Sequence, residues 1–282
     1  MEALLKVNDI SMVFGGLRAV SNFSMEIKAG ELIGLIGPNG AGKTTAFNMI
    51  TGVYTPTEGE IMFNGTRTSG KKSYQVTQLG MARTFQNIRL FSELSVIDNV
   101  KIAYNMHVKY TLGEAIARVG RYFSEEDEIT KKALELLKIF KLEDKAYETA
   151  KNLPYGEQRR LEIARALATE PKLLLLDEPA AGMNPQETKE LMEMIRWIRD
   201  KFSLSILLIE HDMGLVMGAS GYMFWNMVFV LPAARLMKSK IINALSKHTW
   251  ARRCPDVKGR QYRCILWCYP RYQGHQYRGT ER

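Results

Sequence analysis

Residues 37–45 read Gly37-Pro38-Asn39-Gly40-Ala41-Gly42-Lys43-Thr44-Thr45, which matches the phosphate-binding pattern G-x-x-x-x-G-K-[ST]. The apolar run 31–36 before it predicts a buried strand, and 46–50 after it opens a predicted helix that Gly52 ends. Glycines let the backbone wrap an anion, while successive N–H groups and a helix N-terminus attract it. We therefore predict that Lys43 reaches the β- and γ-phosphates of a nucleotide and that the Thr44 hydroxyl binds Mg²⁺.

Charge and cysteine divide the chain into two unlike parts. Residues 1–218 hold 27 of the 39 Lys and Arg and 28 of the 30 Asp and Glu, so they are nearly neutral, and they hold no cysteine. That composition is typical of a globular protein in a reducing compartment, and the first seven residues lack the apolar stretch of a signal peptide. The remaining 12 basic and 2 acidic residues, with all 3 cysteines, lie in 219–282. The overall charge of +9 is therefore not interpreted as a nucleic-acid footprint.

Several shorter patterns predict strands and helices around the phosphate loop. Residues 4–7 and 11–14 are predicted as a strand pair near a sheet edge, and 60–65 as a strand ending in an Asn-Gly hairpin turn. Phe14 lies upstream of the phosphate loop, where its ring could stack on adenine or, equally, fill the core. The stretch 80–85 is a buried-strand pattern that leads to Gln86. Beyond it, 95–145 is predicted to be helical, with the acidic run 124–128 capping a helix over 129–140.

Three more motifs place polar groups beside regular elements. Residues 153–158 read Leu-Pro-Tyr-Gly-Glu-Gln and run into a charged helix, so that helix start is a second anion site. Residues 173–179 read Leu-Leu-Leu-Leu-Asp-Glu-Pro, a strand buried on both faces with Asp177 and Glu178 at its carboxyl end. We predict that Asp177 holds Mg²⁺ through water and that Glu178 is the general base. A last buried strand, 205–209, ends in Glu210 and His211, and His211 is a candidate γ-phosphate sensor.

The order of these motifs resembles the ABC-transporter ATPase family over 4–218. The family's Walker A loop, Q-loop, signature, Walker B and H-loop correspond in sequence to 37–45, Gln86, 153–158, 176–179 and His211. The segments 82–91, 152–158, 180–185 and 209–213 more closely resemble the ATP-binding subunit of branched-chain amino acid importers, the LivG type. The implied fold class is α/β: a P-loop NTPase (RecA-like) core with an antiparallel β subdomain and an inserted α-helical subdomain. The expected core is 1–86 and 166–218, and the expected helical signature subdomain is 87–165.

The resemblance also implies a mechanism and a set of site residues. Two such subunits sandwich two ATP molecules and Mg²⁺, each ATP held by one subunit's phosphate loop and the other's signature. The catalytic residues would be Glu178, His211 and Gln86, and the metal ligands would be Thr44, Gln86 and Asp177. The expected nucleotide contacts are Phe14, Gly37, Pro38, Asn39, Gly40, Ala41, Gly42, Lys43, Thr44 and Thr45. The expected contacts to the partner's ATP are Pro154, Tyr155, Gly156, Glu157 and Gln158.

The implied partners are a second ABC ATPase subunit, two transmembrane permease subunits and, indirectly, a periplasmic or extracellular substrate-binding protein. A heterodimer is favoured over a homodimer, and no nucleic acid is expected. The chain would sit peripherally on the cytoplasmic face of the plasma (inner) membrane, with the helical region as its docking surface. Two positions depart from the general family pattern: Pro154 replaces a serine and supplies no hydroxyl, and Asn184 replaces the aspartate of the D-loop. Both departures resemble the branched-chain subgroup.

The resemblance stops near 218–220, where family members continue with two strands and a closing helix. The uncharged stretch 213–234 could be taken as a membrane anchor and the basic remainder as a nucleic-acid arm. We favour a third explanation, out-of-frame translation from about Gly221 onward, with 219–282 aberrant and poorly ordered. Permitted codons for 221–233 and 244–253, read out of phase, can spell family-like segments. Those for 256–278, shifted the other way, can spell the opening of the partner ATPase.

Three functions remain open from the sequence. The first is the ATPase that energises import of branched-chain amino acids. The second is the ATPase of another ABC system, such as polar amino acid or lipopolysaccharide transport, or a soluble ABC ATPase acting on DNA or ribosomes. The third is a truncated, frameshifted and non-functional ATPase that binds nucleotide without turnover. The single ATPase domain argues against the soluble class, which commonly carries tandem domains.

Overall fold

The computed structural model describes residues 3–36 and 40–210, together with a two-residue strand at 265–266. The strands, in chain order, are β1 Leu5–Phe14, β2 Leu17–Ile27, β3 Leu32–Ile36, β4 Glu58–Phe63, β5 Thr66–Arg67, β6 Met81–Arg83, β7 Leu173–Asp177, β8 Ser205–Glu210 and β9 Ile265–Leu266. The α-helices are α1 Lys43–Ile50, α2 Ser73–Gln78, α3 Val96–Tyr104, α4 Leu112–Ala117, α5 Tyr122–Ile139, α6 Tyr155–Leu167 and α7 Pro185–Phe202. Short 3-10 helices span Asn105–His107, Glu143–Lys145 and Ala150–Asn152.

Strands β1, β2, β4 and β5 form an antiparallel sheet in the order β2-β1-β4-β5. The predicted hairpin at Asn64-Gly65 is confirmed, since both residues have positive φ (48° and 72°) between β4 and β5. The predicted strand pair over 4–7 and 11–14 is wrong. Those residues form the single strand β1, which lies inside the sheet and not at its edge. Its register shifts between Val7 and Ile10, where Asp9 has a φ of 46°, so the polar residues between the two predicted strands form a β-bulge within one strand.

The second sheet is parallel, in the order β6-β7-β8-β3-β9. All five residues of β7 and all six of β8 are buried, as their apolar runs predict for strands covered on both faces. Leu173 and Leu175 pack toward α1 and the antiparallel sheet, whereas Leu174 and Leu176 pack toward α6 and α7. Successive side chains of β7 therefore belong alternately to two hydrophobic clusters.

Helices α3, α5 and α6 pack on one another and bury an apolar face that includes Phe140 and Val100, both 0% exposed. Ser95 caps α3 by accepting the N–H of Asp98 at 3.1 Å. The predicted cap over 124–128 is wrong, because α5 already begins at Tyr122 and the acidic residues lie within its first two turns. Antiparallel sheet, parallel sheet and helical region together match the predicted α/β architecture.

No helix in the part of the chain that the structure describes is both long and apolar enough to cross a lipid bilayer. The segment 213–234 and nearly all of 219–282 lie outside the described residues. From that range the structure describes only β9, which pairs with Leu35 and Ile36 of β3 through Ile265 and Leu266.

Candidate functional site

The carboxyl ends of four parallel strands bring the sequence motifs to one edge of the sheet. β3 leads into the phosphate loop, β6 leads to Gln86, β7 ends at Asp177 and β8 ends at Glu210. Asp177 pairs in register with Ile209, and Ile36 with Glu210, so these strands end at the same level. Side chains from motifs more than 100 residues apart therefore meet at this edge, where open α/β sheets bind their ligands.

The phosphate loop and two polar side chains enclose a cavity of ≈ 460 Å³ at this edge. It is lined by Leu17, Ala19, Gly40, Ala41, Gly42, Lys43, Thr44, Thr45, Gln86 and Glu178. Gly40 and Gly42 have φ of 78° and 87°, a conformation that favours glycine. Gly42 is the N-cap of α1, so the first N–H groups of this helix belong to Lys43, Thr44 and Thr45. Gly37, Pro38 and Asn39 lie outside the described residues.

Lys43 is only 5% exposed. Burial lowers the pKa of its ammonium, while the negative charges of Glu178 and Asp177 act in the opposite direction. A buried cation beside a cavity lined with N–H groups favours a polyanionic ligand, which would add negative charge and offset the desolvation.

Asp177 is 1% exposed and forms an ion pair with Arg83, whose Nη2 lies 2.8 Å from Oδ2. Arg83 also donates from Nη1 to the side-chain oxygens of Asn48 (2.6 Å) and Thr51 (3.3 Å) in and just after α1. Burial lowers the pKa of Arg83, and the hydrogen bond to Asp177 opposes that shift. Arg83 thus ties the helix after the phosphate loop to the acidic end of β7.

The second oxygen of Asp177, Oδ1, is buried and has no hydrogen-bond donor among the described residues. A buried carboxylate oxygen without a donor is costly unless a cation or an ordered water uses its lone pairs. Together with the exposed Thr44 hydroxyl, it gives the oxygen ligands that Mg²⁺ prefers, so the residues fit a magnesium ion that also contacts phosphate.

Glu178 directly follows Asp177, and its backbone φ is 48°. For a residue other than glycine this conformation is uncommon, and it persists only where the surrounding structure holds it. Here the Glu178 N–H donates to the carbonyl of Ile209 at 3.1 Å. Gln86 Nε2 donates to Glu178 Oε2 at 2.8 Å, so the amide orients the carboxylate at the cavity wall.

The residues 154–158 lie away from the phosphate loop of the same chain, at the start of α6. Pro154, Gly156 and Glu157 line a different cavity, of ≈ 620 Å³, between α6 and α7. Tyr155 is 44% exposed and lies beside Gly182, where an added Cβ would be 3.4 Å from its ring. Gln158 bonds the carbonyl of Leu153 at 2.8 Å. Within the first turn of α6, the N–H groups of Glu157 and Gln158 donate to the carbonyl of Pro154 at 3.0 and 2.9 Å, so the helix start has the N–H groups of Tyr155 and Gly156 left to bind an anion.

Phe14 is not among the described residues that line the phosphate cavity. It is 41% exposed and its ring packs edge-on against Tyr54 at 5.4 Å. Stacking of Phe14 on adenine stays a prediction. His211 lies outside the described residues.

Sequence reasoning missed Leu17 and Ala19 in the cavity wall and Arg83 behind it. Leu17 follows the Gly15-Gly16 turn, and nothing in the pattern indicates that this turn reaches the phosphate loop. Arg83 does carry a signal. An arginine inside the buried-strand pattern 80–85 needs a buried acidic partner, and Asp177 is a candidate at the end of another buried strand.

Comparisons with known proteins agree with this geometry. The family model described as "ABC transporter" matches residues 20–181. The chain is 47% identical over 219 residues to the Escherichia coli (strain K12) "High-affinity branched-chain amino acid transport ATP-binding protein LivG", covering 78% of this chain and 86% of that protein. It is 41% identical over 219 residues to BraF of Pseudomonas aeruginosa, a protein of the same description, with the same coverage.

Solved structures show the same fold. The ATP-binding cassette MJ1267 of an ABC transporter, in its ADP conformation, superposes with a TM-score of 0.67 at 29% identity, covering 78% of this chain and 85% of that one. The cassette MJ0796, a dimer bound to ADP and phosphate, gives a TM-score of 0.63 at 26% identity, covering 75% and 89%. The predicted P-loop NTPase fold is confirmed. Matched over most of its length by such cassettes, the chain belongs to the ABC transporter family, as one of its ATP-binding subunits.

Proposed function

We propose that this chain binds and hydrolyses ATP to energise import of branched-chain amino acids through a membrane ABC transporter. The observation that carries the proposal is the cavity where Lys43, Gln86 and Glu178 meet beside the buried Asp177. The amino acid class comes from the relatives, which are named as branched-chain amino acid transport ATP-binding proteins at 47% and 41% identity.

In this proposal the residues of the phosphate cavity divide the work of phosphoryl transfer. The N–H groups at the start of α1 and the Lys43 ammonium bind the β- and γ-phosphates. Thr44, Gln86 and Asp177 would hold a Mg²⁺ ion, directly or through water, and the ion would supply positive charge beside those phosphates. Glu178, held by Gln86, accepts a proton from the attacking water as general base, and His211 contacts the γ-phosphate.

A second ATPase subunit completes each site. Pro154, Tyr155, Gly156, Glu157 and Gln158 would contact the partner's ATP through the exposed start of α6. Because Pro154 has no hydroxyl, the backbone N–H at Gly156 would supply this contact, since the N–H groups of Glu157 and Gln158 already donate to the carbonyl of Pro154. The dimer of MJ0796 with ADP and phosphate supports a dimeric assembly. We favour a heterodimer over a homodimer.

The permease subunits would dock on the helical side of the molecule. A groove of ≈ 690 Å³ runs along it, and its lining includes Phe85, Arg89, Phe91, Ile102 and Arg165. Because Phe85, the neighbour of Gln86, lines this groove, a permease segment inserted there would contact the loop whose Gln86 bonds Glu178. The chain would then lie on the cytoplasmic face of the inner membrane, with a substrate-binding protein acting on the far side of the permeases.

Uptake of radiolabelled leucine tests the substrate class. In cells that lack this subunit, the wild-type gene should restore leucine uptake, and the same gene carrying Glu178→Gln should not. Uptake of histidine and assembly of lipopolysaccharide serve as controls for other ABC systems. If the gene restores histidine uptake or lipopolysaccharide assembly instead of leucine uptake, the proposed substrate is wrong. The proposed substrate is also wrong if the chain hydrolyses ATP but restores none of these three activities.

A further inference from the structure

Arg159 and Glu162, one turn apart on α6, form an ion pair that no step of the proposed mechanism uses. Their side chains are 0% and 2% exposed, and Arg159 Nη1 lies 2.8 Å from Glu162 Oε2. Removing two charges from water costs several kcal/mol each, which geometry and further hydrogen bonds must offset. The partners of this pair therefore indicate what it does.

Those partners belong to the loop that carries Gln86. Arg159 donates from Nη1 to the carbonyl of Phe85 at 2.6 Å and from Nη2 to the carbonyl of Gln86 at 2.7 Å. Glu162 Oε1 accepts the N–H groups of Phe85 at 3.4 Å and of Arg89 at 3.3 Å. The pair therefore binds the loop backbone on both sides of Gln86, through donors and acceptors alike.

Gln86 is therefore held through both its backbone carbonyl and its side-chain amide. Its carbonyl is bonded by Arg159, while its side-chain amide donates to Glu178 at 2.8 Å. Arg159 Nη2 also lies 3.5 Å from the carbonyl of Glu178. Since α6 is a continuous helix from Tyr155 to Leu167, its first turn and this ion pair move together.

We propose that the Arg159–Glu162 pair is a positioning element that fixes Gln86 relative to Glu178 and transmits movement of the α6 helix start to the nucleotide site of the same chain. This inference rests on the proposed ATPase function. A shift of α6, such as contact of 154–158 with another subunit's ATP would cause, displaces the Phe85 and Gln86 backbone and moves the amide away from or toward Glu178. Small misplacements of such a group cost up to about 100-fold in rate.

A double-mutant cycle distinguishes positioning from general stability. We expect Glu162→Gln to lower kcat for ATP hydrolysis about 10- to 100-fold, with the KM for ATP changed less than about 3-fold. In a Gln86→Ala background the same substitution should lower kcat less than about 2-fold, because the group it positions is gone. An equal factor in both backgrounds would overturn the proposal. Arg159→Lys, which keeps the charge but loses the planar two-point contact, provides the same cycle should Glu162→Gln fail to fold.

The matched control is Arg160→Gln on the same helix. Arg160 donates to the carbonyl of Phe140 at 3.2 Å, away from the Gln86 loop. Arg160→Gln should change kcat by the same factor in the wild-type and Gln86→Ala backgrounds. A factor that differs between the two backgrounds would refute the assignment of positioning to the Arg159–Glu162 pair.

Hydrogen exchange gives a readout that does not need turnover. In Glu162→Gln, the peptide covering 84–90 should exchange at least about 10-fold faster than in the wild type, since the one amide oxygen of glutamine cannot accept both from Arg159 and from the Phe85 and Arg89 N–H groups. Arg160→Gln should leave that peptide unchanged. If the wild type hydrolyses no ATP, the proposed function fails while this experiment still decides the link, and unchanged protection in Glu162→Gln would contradict it.

Discussion

Glu178 shows most directly how a single residue is prepared for chemistry. Its left-handed backbone (φ 48°), its N–H bond to Ile209 and the bond from Gln86 together fix where its carboxylate lies. A general base must lie within hydrogen-bond reach of the water it activates, and a fixed carboxylate meets that condition at lower entropic cost.

Glu178→Gln tests this role at the level of one atom. The substitution keeps the size of the side chain and one oxygen that can accept from Gln86 but removes the basic carboxylate, so ATP should bind within about 3-fold of wild-type affinity while hydrolysis falls at least about 100-fold. Equilibrium binding and phosphate release measure the two effects separately. The control is Glu190→Gln, an exposed carboxylate on α7 that bonds Gln186, which should change neither. Hydrolysis persisting in Glu178→Gln would remove Glu178 from the chemistry.

The ion pair of Arg83 with Asp177 leads us to predict the effect of Arg83→Gln on the free energy of unfolding. Arg83→Gln leaves Asp177 buried without its guanidinium, so the free energy of unfolding should fall by about 3–5 kcal/mol. Arg18→Gln is the control, because the Arg18–Glu58 pair has side chains 45% and 53% exposed and should contribute less than about 1 kcal/mol. Urea denaturation compares the two, and a similar small loss in both would show that the buried pair is not needed to hold Asp177.

Among the elements, the buried strands and the helix after the phosphate loop, α1, agree with the sequence patterns. Runs such as Leu173–Asp177 leave few alternatives, because a strand buried on both faces needs apolar residues at every position. The bulge in β1 and the early start of α5 were mispredicted, since both depend on tertiary contacts that locally polar sequence conceals. The hydrogen bonds from Arg159 and Glu162 to the backbone of the Gln86 loop could not be predicted either, because the α6 sequence alone does not indicate which charges are buried together.

The position of Asn184 at the start of α7 leads us to predict how its substitution changes stability. It caps α7, accepting the N–H of Glu187 at 2.9 Å, while Glu187 accepts the N–H of Asn184 at 3.0 Å. Asn184→Ala should lower the free energy of unfolding by about 1 kcal/mol, whereas Asn184→Asp should change it by only a few tenths, because both side chains cap helices well. Gln186→Ala, two residues further on the exposed side, is the control. A larger loss for Gln186→Ala in urea denaturation would contradict the capping assignment.

On the scale of the whole molecule, one parallel sheet joins two hydrophobic clusters. One cluster contains the antiparallel sheet and α1, and the other contains the helices that carry 154–158. The phosphate cavity and the cavity at the start of α6 share no lining residue. This separation is the physical reason to expect that each nucleotide site is completed by a second subunit.

Out-of-frame translation from about Gly221 onward is a hypothesis about the chain as a whole. If out-of-frame translation produces the printed tail, the intact mass of the native protein should differ from the 32.1 kDa of the printed sequence. A mass that matches the printed sequence in active protein would refute the frameshift. With the printed tail present, we expect lower solubility and weaker ATPase activity than in a frame-restored chain, because the closing strands of the family would be missing.

Phosphate release from Mg-ATP by the purified full chain, compared with Lys43→Ala, tests whether the phosphate cavity hydrolyses ATP. Lys43 lies buried at the cavity that we assign to the nucleotide phosphates, so its removal should lower the rate at least about 100-fold and weaken ATP binding. Thermal melting of both proteins without nucleotide checks that the variant is folded. We expect hydrolysis that depends on Lys43. Equal phosphate release by folded wild type and Lys43→Ala would contradict it.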